Sequence, residues 1–259
     1  MHEPQAGDLN QYPLHGGPEE QETQTNAFNK LLCAMYGLPY ELNAVAELLA
    51  MTSLARFYAA LPVLSRSLSA TLLRSKSFIC SMESSASKLV VAAKELRHAE
   101  LFKDCLLLSI GPWNETYCVH ERLFEDPTLT QLASSVLGKI SLVICQAQHM
   151  LLLAMTGGDK YDIEGHMADA LESEVTQVAH DVASDHKSLA CLPCFYRRLH
   201  GSDLCIEESE LKDDHIKPLL ENKLILPKFH GVEEDFGCHF LFVEVDDDEL
   251  PWDRTQTDW

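Results

Sequence analysis

At 259 residues, 46% of them apolar, the chain is long enough to bury a substantial core in one large domain or two small ones. Lys and Arg total 20 against 40 Asp and Glu, and the resulting formal charge of −20 repels phosphate backbones and anionic lipid, which argues against nucleic acid and membrane surfaces as partners. Nine cysteines, an odd number scattered behind a polar start with no signal-peptide pattern, read as reduced thiols of an intracellular protein, cytoplasmic or nuclear, and not as a disulfide framework.

Residues 1–25 (MHEPQAGDLNQYPLHGGPEEQETQT) are rich in Gly, Pro, Gln and Glu, carry almost no apolar periodicity, and read as a disordered segment. Asn26 is placed as the cap of a first helix, on which Phe28, Leu31, Leu32 and Met35 fall on one face. Gly37 can close that helix in the left-handed conformation, and Pro39 cannot extend it, so residues 36–41 are expected to form a sharp connector. Asn43 is placed as the cap of a second helix striped by Val45, Leu48, Leu49 and Thr52 and widened by Ala44, Met51 and Ala55, a pattern that fits a core position. Pro62 fits the first turn of a third helix carrying Leu64, Leu68 and Leu72. Arg66, Arg74, Lys76, Lys88, Lys94 and Arg97 are spaced out without interleaved aromatics and read as a solvated helix face.

A helix ending in Tyr36–Gly37, then the run LLAMTSLARFY, then a proline-led helix, resembles the closing helices of the BTB (POZ) domain in the version common in fungal proteins, over residues 28–73. The next segment, SASKLVVAAKELRHAELFKDCLLLSIGPW, is similar to the helical continuation of such proteins, and the closing VDDDELPWDRTQTDW resembles their C-terminal tail. The resemblance implies a module that binds other proteins. It also implies a strand-rich first half that residues 1–25 do not supply, so homodimerisation or docking onto a cullin, which needs the complete domain, is not expected.

Beyond residue 113, residues 114–125 are weakly patterned, and Asp126–Pro127 then supplies a cap with proline at the first helical position. From Leu129 through Val136, Ile140, Ile144 and Leu151 to Ala154 an apolar stripe continues to Gly157 and Gly158, about 40 Å of helix at 1.5 Å per residue. Its most apolar part, residues 140–155, is interrupted by Gln146, Gln148 and His149 and reads as a buried helix, not a membrane span. A second pattern over residues 162–190, with Met167, Leu171, Val175, Val178 and Val182 on one side, is expected to pair with it as a hairpin. Residues 207–220 suit a charged helix, residues 224–227 a brief extended segment, and GCHFLFVEV one terminal strand. Two readings of the tail stay open: Trp252 and Trp259 anchor on the helical body with the acidic run Asp246 to Glu249 solvated around them, or that run and the tryptophans form a linear motif for a basic, grooved partner.

The segment CLPCFYRRLHGSDLC offers Cys191, Cys194, His200 and Cys205 as a compressed Cys3His zinc set, with redox chemistry at the CxxC pair a further alternative. The preferred reading is ordinary thiols beside Phe195, Tyr196 and Leu199. His166, His180 and His186 lack the i, i+4 spacing of a helix-borne zinc pair. GGDK at residues 157–160 lacks the rest of a phosphate loop, and neither a GxSxG turn nor an HExxH helix occurs, so no catalytic, cofactor or metal residue is assigned.

The expected protein is therefore mainly α: a helical bundle from the C-terminal part of a BTB domain with its helical extension, a long hairpin and a small extended C-terminal segment. Its divisions fall at residues 1–25, 26–75 (the partial BTB domain), 76–113 (the extension), 114–206 (the hairpin) and 207–259. The expected role is that of a non-catalytic adaptor that binds other proteins through helix faces and the acidic tail. A small structural zinc protein and an enzyme are the alternatives.

Overall fold

The computed structural model describes residues 18–111, 125–155, 165–186, 191–201, 211–232 and 236–253, and over these the protein is mainly helical. Helix α1 (Pro18–Met35) starts at Pro18, not at Asn26. Glu and Gln are good helix formers, proline is tolerated in a first turn, and the Thr25 hydroxyl donates to the Gln21 carbonyl at 2.8 Å, so the polar stretch before Asn26 is helical without any apolar stripe. Residues 1–17 of the expected N-terminal segment lie outside the described residues. Gly37, at φ +67°, closes α1 as expected, and the Leu38 N–H returns to the Cys33 carbonyl at 2.8 Å.

Polar contacts fasten the connector to the helices beyond it: Tyr40 Oη and Ser67 Oγ lie 2.7 Å apart, and the Leu42 N–H donates to Ser75 Oγ at 2.8 Å. Helix α2 (Val45–Phe57) comes next, and Asn43 does not cap it through its side chain. Instead the Glu47 carboxylate accepts the Asn43 N–H at 2.8 Å and the Lys30 ammonium at 2.6 Å. Burial alone would raise the Glu47 pKa, but these donors outweigh it and hold the carboxyl below its usual value. Leu48, Met51 and Ala55 are fully buried against α1 and α3 (Leu61–Leu72), whose Pro62 sits in the first turn and whose Leu64, Leu68 and Leu72 face the core.

After the short α4 (Lys76–Ser81), helices α5 (Ala86–Glu95) and α6 (Ala99–Ile110) pack as a pair through Leu89, Val90 and Ala93 on one side and Leu101, Phe102 and Cys105 on the other. Two helix ends here close in the left-handed region without glycine, at Ala59 (φ +53°) and Arg97 (φ +49°). The Ala60 N–H reaches back to the Ala55 carbonyl at 2.7 Å and the His98 N–H to Ala93 at 3.0 Å, satisfying carbonyls that the helices leave open. His98 Nδ1 accepts the Leu101 N–H, which leaves Nε2 to donate to Ser69 Oγ at 3.0 Å; burial lowers the pKa of this imidazole.

The second half is built on α7 (Pro127–Met155), capped as expected by Asp126, which accepts the Thr128 and Leu129 N–H groups at 3.0 and 3.3 Å and pairs with Lys94. Leu129, Val136, Ile140, Ile144 and Ala154 are buried, whereas Gln146, Gln148 and His149 are outside the buried stripe. By length and composition α7 could cross a membrane, yet its apolar stripe packs against α6 and α8 (Gly165–His186). Val178 and Val182 of α8 are buried; the side chains of Met167 and Leu171 lie outside the described residues. Helix α9 (Leu192–Gly201) buries Tyr196 and Leu199, and a π-helical turn (Lys212–Ile216) runs into a 3-10 turn (Lys217–Leu220).

The C-terminal segment folds back over α4 and α6. Residues 224–227 are not extended: Pro227 enters the first turn of α10 (Leu226–His230), which Gly231 closes at φ +64°. The expected terminal strand appears among the described residues as extended backbone that makes a parallel bridge from Leu241 to Asn222. Phe240 is fully buried, and its N–H donates to the Gly111 carbonyl at 3.1 Å. A Cβ at position 111 would lie 2.7 Å from the Leu107 carbonyl and 3.1 Å from that of Phe240, so this close approach of segments requires glycine. The acidic run is also held inward. Asp246 and Glu249 form a capping box, Lys103 pairs with Asp247 at 2.7 Å, Lys139 pairs with Glu249 at 2.6 Å, and Trp252 meets Phe102 edge-on with ring centres 5.0 Å apart. Trp259 lies outside the described residues.

Candidate functional site

Cys191 immediately precedes α9 and Cys194 stands in its first turn, so the two-residue gap of the CxxC places both sulfurs at one helix end. A third sulfur joins them. Phe236 to His239 make a tight turn, closed by the His239 N–H on the Phe236 carbonyl at 3.1 Å, and it brings Cys238 beside the pair. The three Sγ atoms lie within 4.8 Å of one another, with Cys194 and Cys238 3.5 Å apart. Cys191 is buried, Cys194 half-buried and Cys238 exposed, so the cluster opens to solvent on one side. The turn is fixed from below by Arg197, whose Nε donates to the Gly237 carbonyl at 3.0 Å. Burial, reinforced by the neighbouring thiols, pushes the Cys194 thiol up, and burial does the same for Cys238, so without a cation these groups hold their protons.

This cluster corrects the expected ligand set in one respect. His200 is not part of it: the residue lies on α9 toward the π-helical turn, where burial and then Lys212 and Lys217 lower its pKa. Cys205 lies outside the described residues. Cys238 was missed because it stands 44 residues from Cys194 in the sequence, and only the fold brings them together. The available signal was a Cys238–His239 pair after Gly237 at the edge of an apolar run. Of the three α8 histidines, His180 is exposed and 3.7 Å from Asp181; the side chains of His166 and His186 lie outside the described residues.

His239 is 3% exposed, and neither ring nitrogen has a hydrogen-bond partner among the described residues. Its Nε2 lies 3.6 Å from Glu83 Oε1, beyond hydrogen-bond length, and its ring packs edge-on to Phe236. Burial and the Arg197 charge lower its pKa to about 4, so the imidazole is neutral at neutral pH.

A second feature lies at the opposite end of the chain. Phe57 is 76% exposed and Tyr36 78%, and Phe28 and Met35 on α1, Leu38 in the connector and Tyr58 at the end of α2 are exposed as well. Tyr58 gathers the first group, its ring centre 5.9 Å from that of Phe28 and 5.0 Å from that of Phe57. Next to the connector, Leu38, Pro39, Tyr40 and Ala70 help line a mainly apolar groove of about 380 Å³.

A groove of about 870 Å³ runs between α6 and the acidic segment. Among its charges, Lys103 pairs with Asp247 and Lys223 with Glu244. Comparison of the chain with family models, with curated proteins and with solved structures found no match.

Proposed function

We propose that the protein is a non-catalytic interaction module of the BTB kind, which docks another protein on the exposed aromatic edge of α1 and α2. The observation that supports this reading is the group Phe28, Phe57 and Tyr58, three aromatic side chains gathered around Tyr58 and open to solvent. Aromatic side chains are favoured as binding anchors because they bury a large area with few rotatable bonds, and an exposed cluster of them is a mark of an interface. The order of α1, the Tyr36–Gly37 connector, α2 and the proline-led α3 is that of the BTB resemblance. With a formal charge of −20 on the chain, the complementary partner has an apolar centre and a basic rim. The inward pairing of Asp247 and Glu249 with Lys103 and Lys139 favours the aromatic edge over the acidic tail as the docking element.

The test is site-specific photo-crosslinking of the full chain in cells, with the reactive group at Phe57 or Tyr36 and, as a control, at the exposed His180. A defined basic protein captured at the first two positions only, and lost in a Phe57→Glu/Tyr58→Glu variant of unchanged circular dichroism, supports the reading. Capture that is equal at all three positions, or that survives the double substitution, overturns it. A crosslink of the chain to itself through Phe57 identifies the occupant as a second copy and likewise overturns the basic-partner assignment.

A further inference from the structure

We propose that Cys191, Cys194, Cys238 and His239 bind one zinc ion that ties the start of α9 to the C-terminal segment. Three sulfurs within 4.8 Å of one another, two of them from a CxxC at a helix N-terminus, match the way structural zinc is held by a ligand pair and a distant knuckle. An independent observation concerns the adjacent residue. His239 is buried, and neither ring nitrogen has a hydrogen-bond partner among the described residues, Glu83 Oε1 standing 3.6 Å from Nε2; a buried polar group of this kind calls for an ion, a water or a functional role. Its nitrogens stand outside the sulfur cluster, so its role as fourth ligand requires the imidazole to turn toward it.

The charges balance. Zn²⁺ replaces the three thiol protons, which pass to water, and the neutral imidazole completes a site of net charge −1. Arg197, fixed to the Gly237 carbonyl at 3.0 Å, supplies a nearby positive charge against that excess. A Cys194–Cys238 disulfide would require an oxidant that nothing in the fold supplies. The site is independent of whatever docks on the aromatic edge.

The full chain, purified without chelator, is analysed for metal by mass spectrometry, beside Cys194→Ser, Cys238→Ser, His239→Phe, His200→Ala and Cys205→Ser. The expected result is about one zinc per chain in the parent, His200→Ala and Cys205→Ser proteins, with at least tenfold weaker retention against a chelating dye in the other three. Because loss of a ligand can also unfold the chain, the parent protein is stripped and titrated with Co²⁺. Tetrahedral cobalt bands with thiolate charge transfer, saturating at one equivalent, are expected. Absence of stoichiometric metal and of cobalt bands, full retention in Cys238→Ser or His239→Phe, or loss in His200→Ala would each overturn the proposal.

Discussion

Asp104 offers the sharpest test of how the two ends of the chain are joined. It lies on α6, is fully buried, and accepts the N–H groups of Ile225 at 2.8 Å and Leu226 at 2.7 Å, capping α10 from more than a hundred residues away. Burial is the dominant influence and raises its pKa to about 7, against the opposing pull of those two N–H groups. In the unfolded chain the carboxyl returns to its ordinary value near 3.8. Between about pH 4 and 7 the folded protein therefore holds a proton that the unfolded chain has released. This contribution to stability is fully present below pH 4 and is lost as the pH rises through 7, at about 1.4 kcal/mol per pH unit. Replacing Asp104 with Asn keeps an acceptor oxygen but removes the titration; replacing it with Ala also strands two N–H groups, at about 1–3 kcal/mol each. Urea unfolding at pH 5, 6 and 7 measures both effects. The stability advantage of the parent over Asp104→Asn should shrink by about 2–3 kcal/mol from pH 5 to 7, and Asp104→Ala should be less stable than Asp104→Asn throughout. The difference between two proteins cancels the slopes of other groups. A parent-minus-Asn difference that is flat across this range would mean that Asp104 is ionised throughout, and burial would then not dominate its titration.

Three single contacts yield expectations of their own. Ala59 sits at φ +53°, and Ala59→Gly relieves about 1–2 kcal/mol of left-handed strain while loosening the unfolded chain by about 0.4–1, for a net gain of about 0.5–1 kcal/mol and a Tm rise of about 2 °C by calorimetry. Trp252→Ala removes the edge contact with Phe102; since Trp252 is half-buried, the loss should be about 2 kcal/mol, below the roughly 3–5 of a fully buried ring, and proteolysis should then begin at the freed acidic segment. Phe57→Glu/Tyr58→Glu should leave the stability within about 0.5 kcal/mol of the parent in urea unfolding, because both side chains face solvent; a larger fall would place them in the core.

The helices of the first half and the start of α7 were legible because their signals are local. The stripe Leu64, Leu68, Leu72 recurs at helical spacing, Gly37 closes α1 in the left-handed region, and Asp126–Pro127 caps α7. Features that depend on distant partners, or on residues without a distinctive type, did not show. Ala59 and Arg97 end helices where glycine would have announced the stop, and Pro18 opens α1 in a stretch with no apolar period. The run at Leu226 carries apolar residues that suit an extended segment, but Asp104 supplies acceptors that make a helical turn the better solution. The same holds at the thiol cluster. CxxC marked two of its members, whereas Cys238 joins them only because the final segment returns past Gly111 to the start of α9.

The convergence of Cys191, Cys194 and Cys238 at one point in the native chain underlies the metal site and the anchoring of the C-terminal segment to α9. X-ray absorption at the zinc edge of the purified protein reads that point directly. A first shell of three sulfurs at about 2.3 Å and one nitrogen at about 2.0–2.1 Å is the expected result. A shell of nitrogen and oxygen alone, or of fewer than three sulfurs, would contradict it.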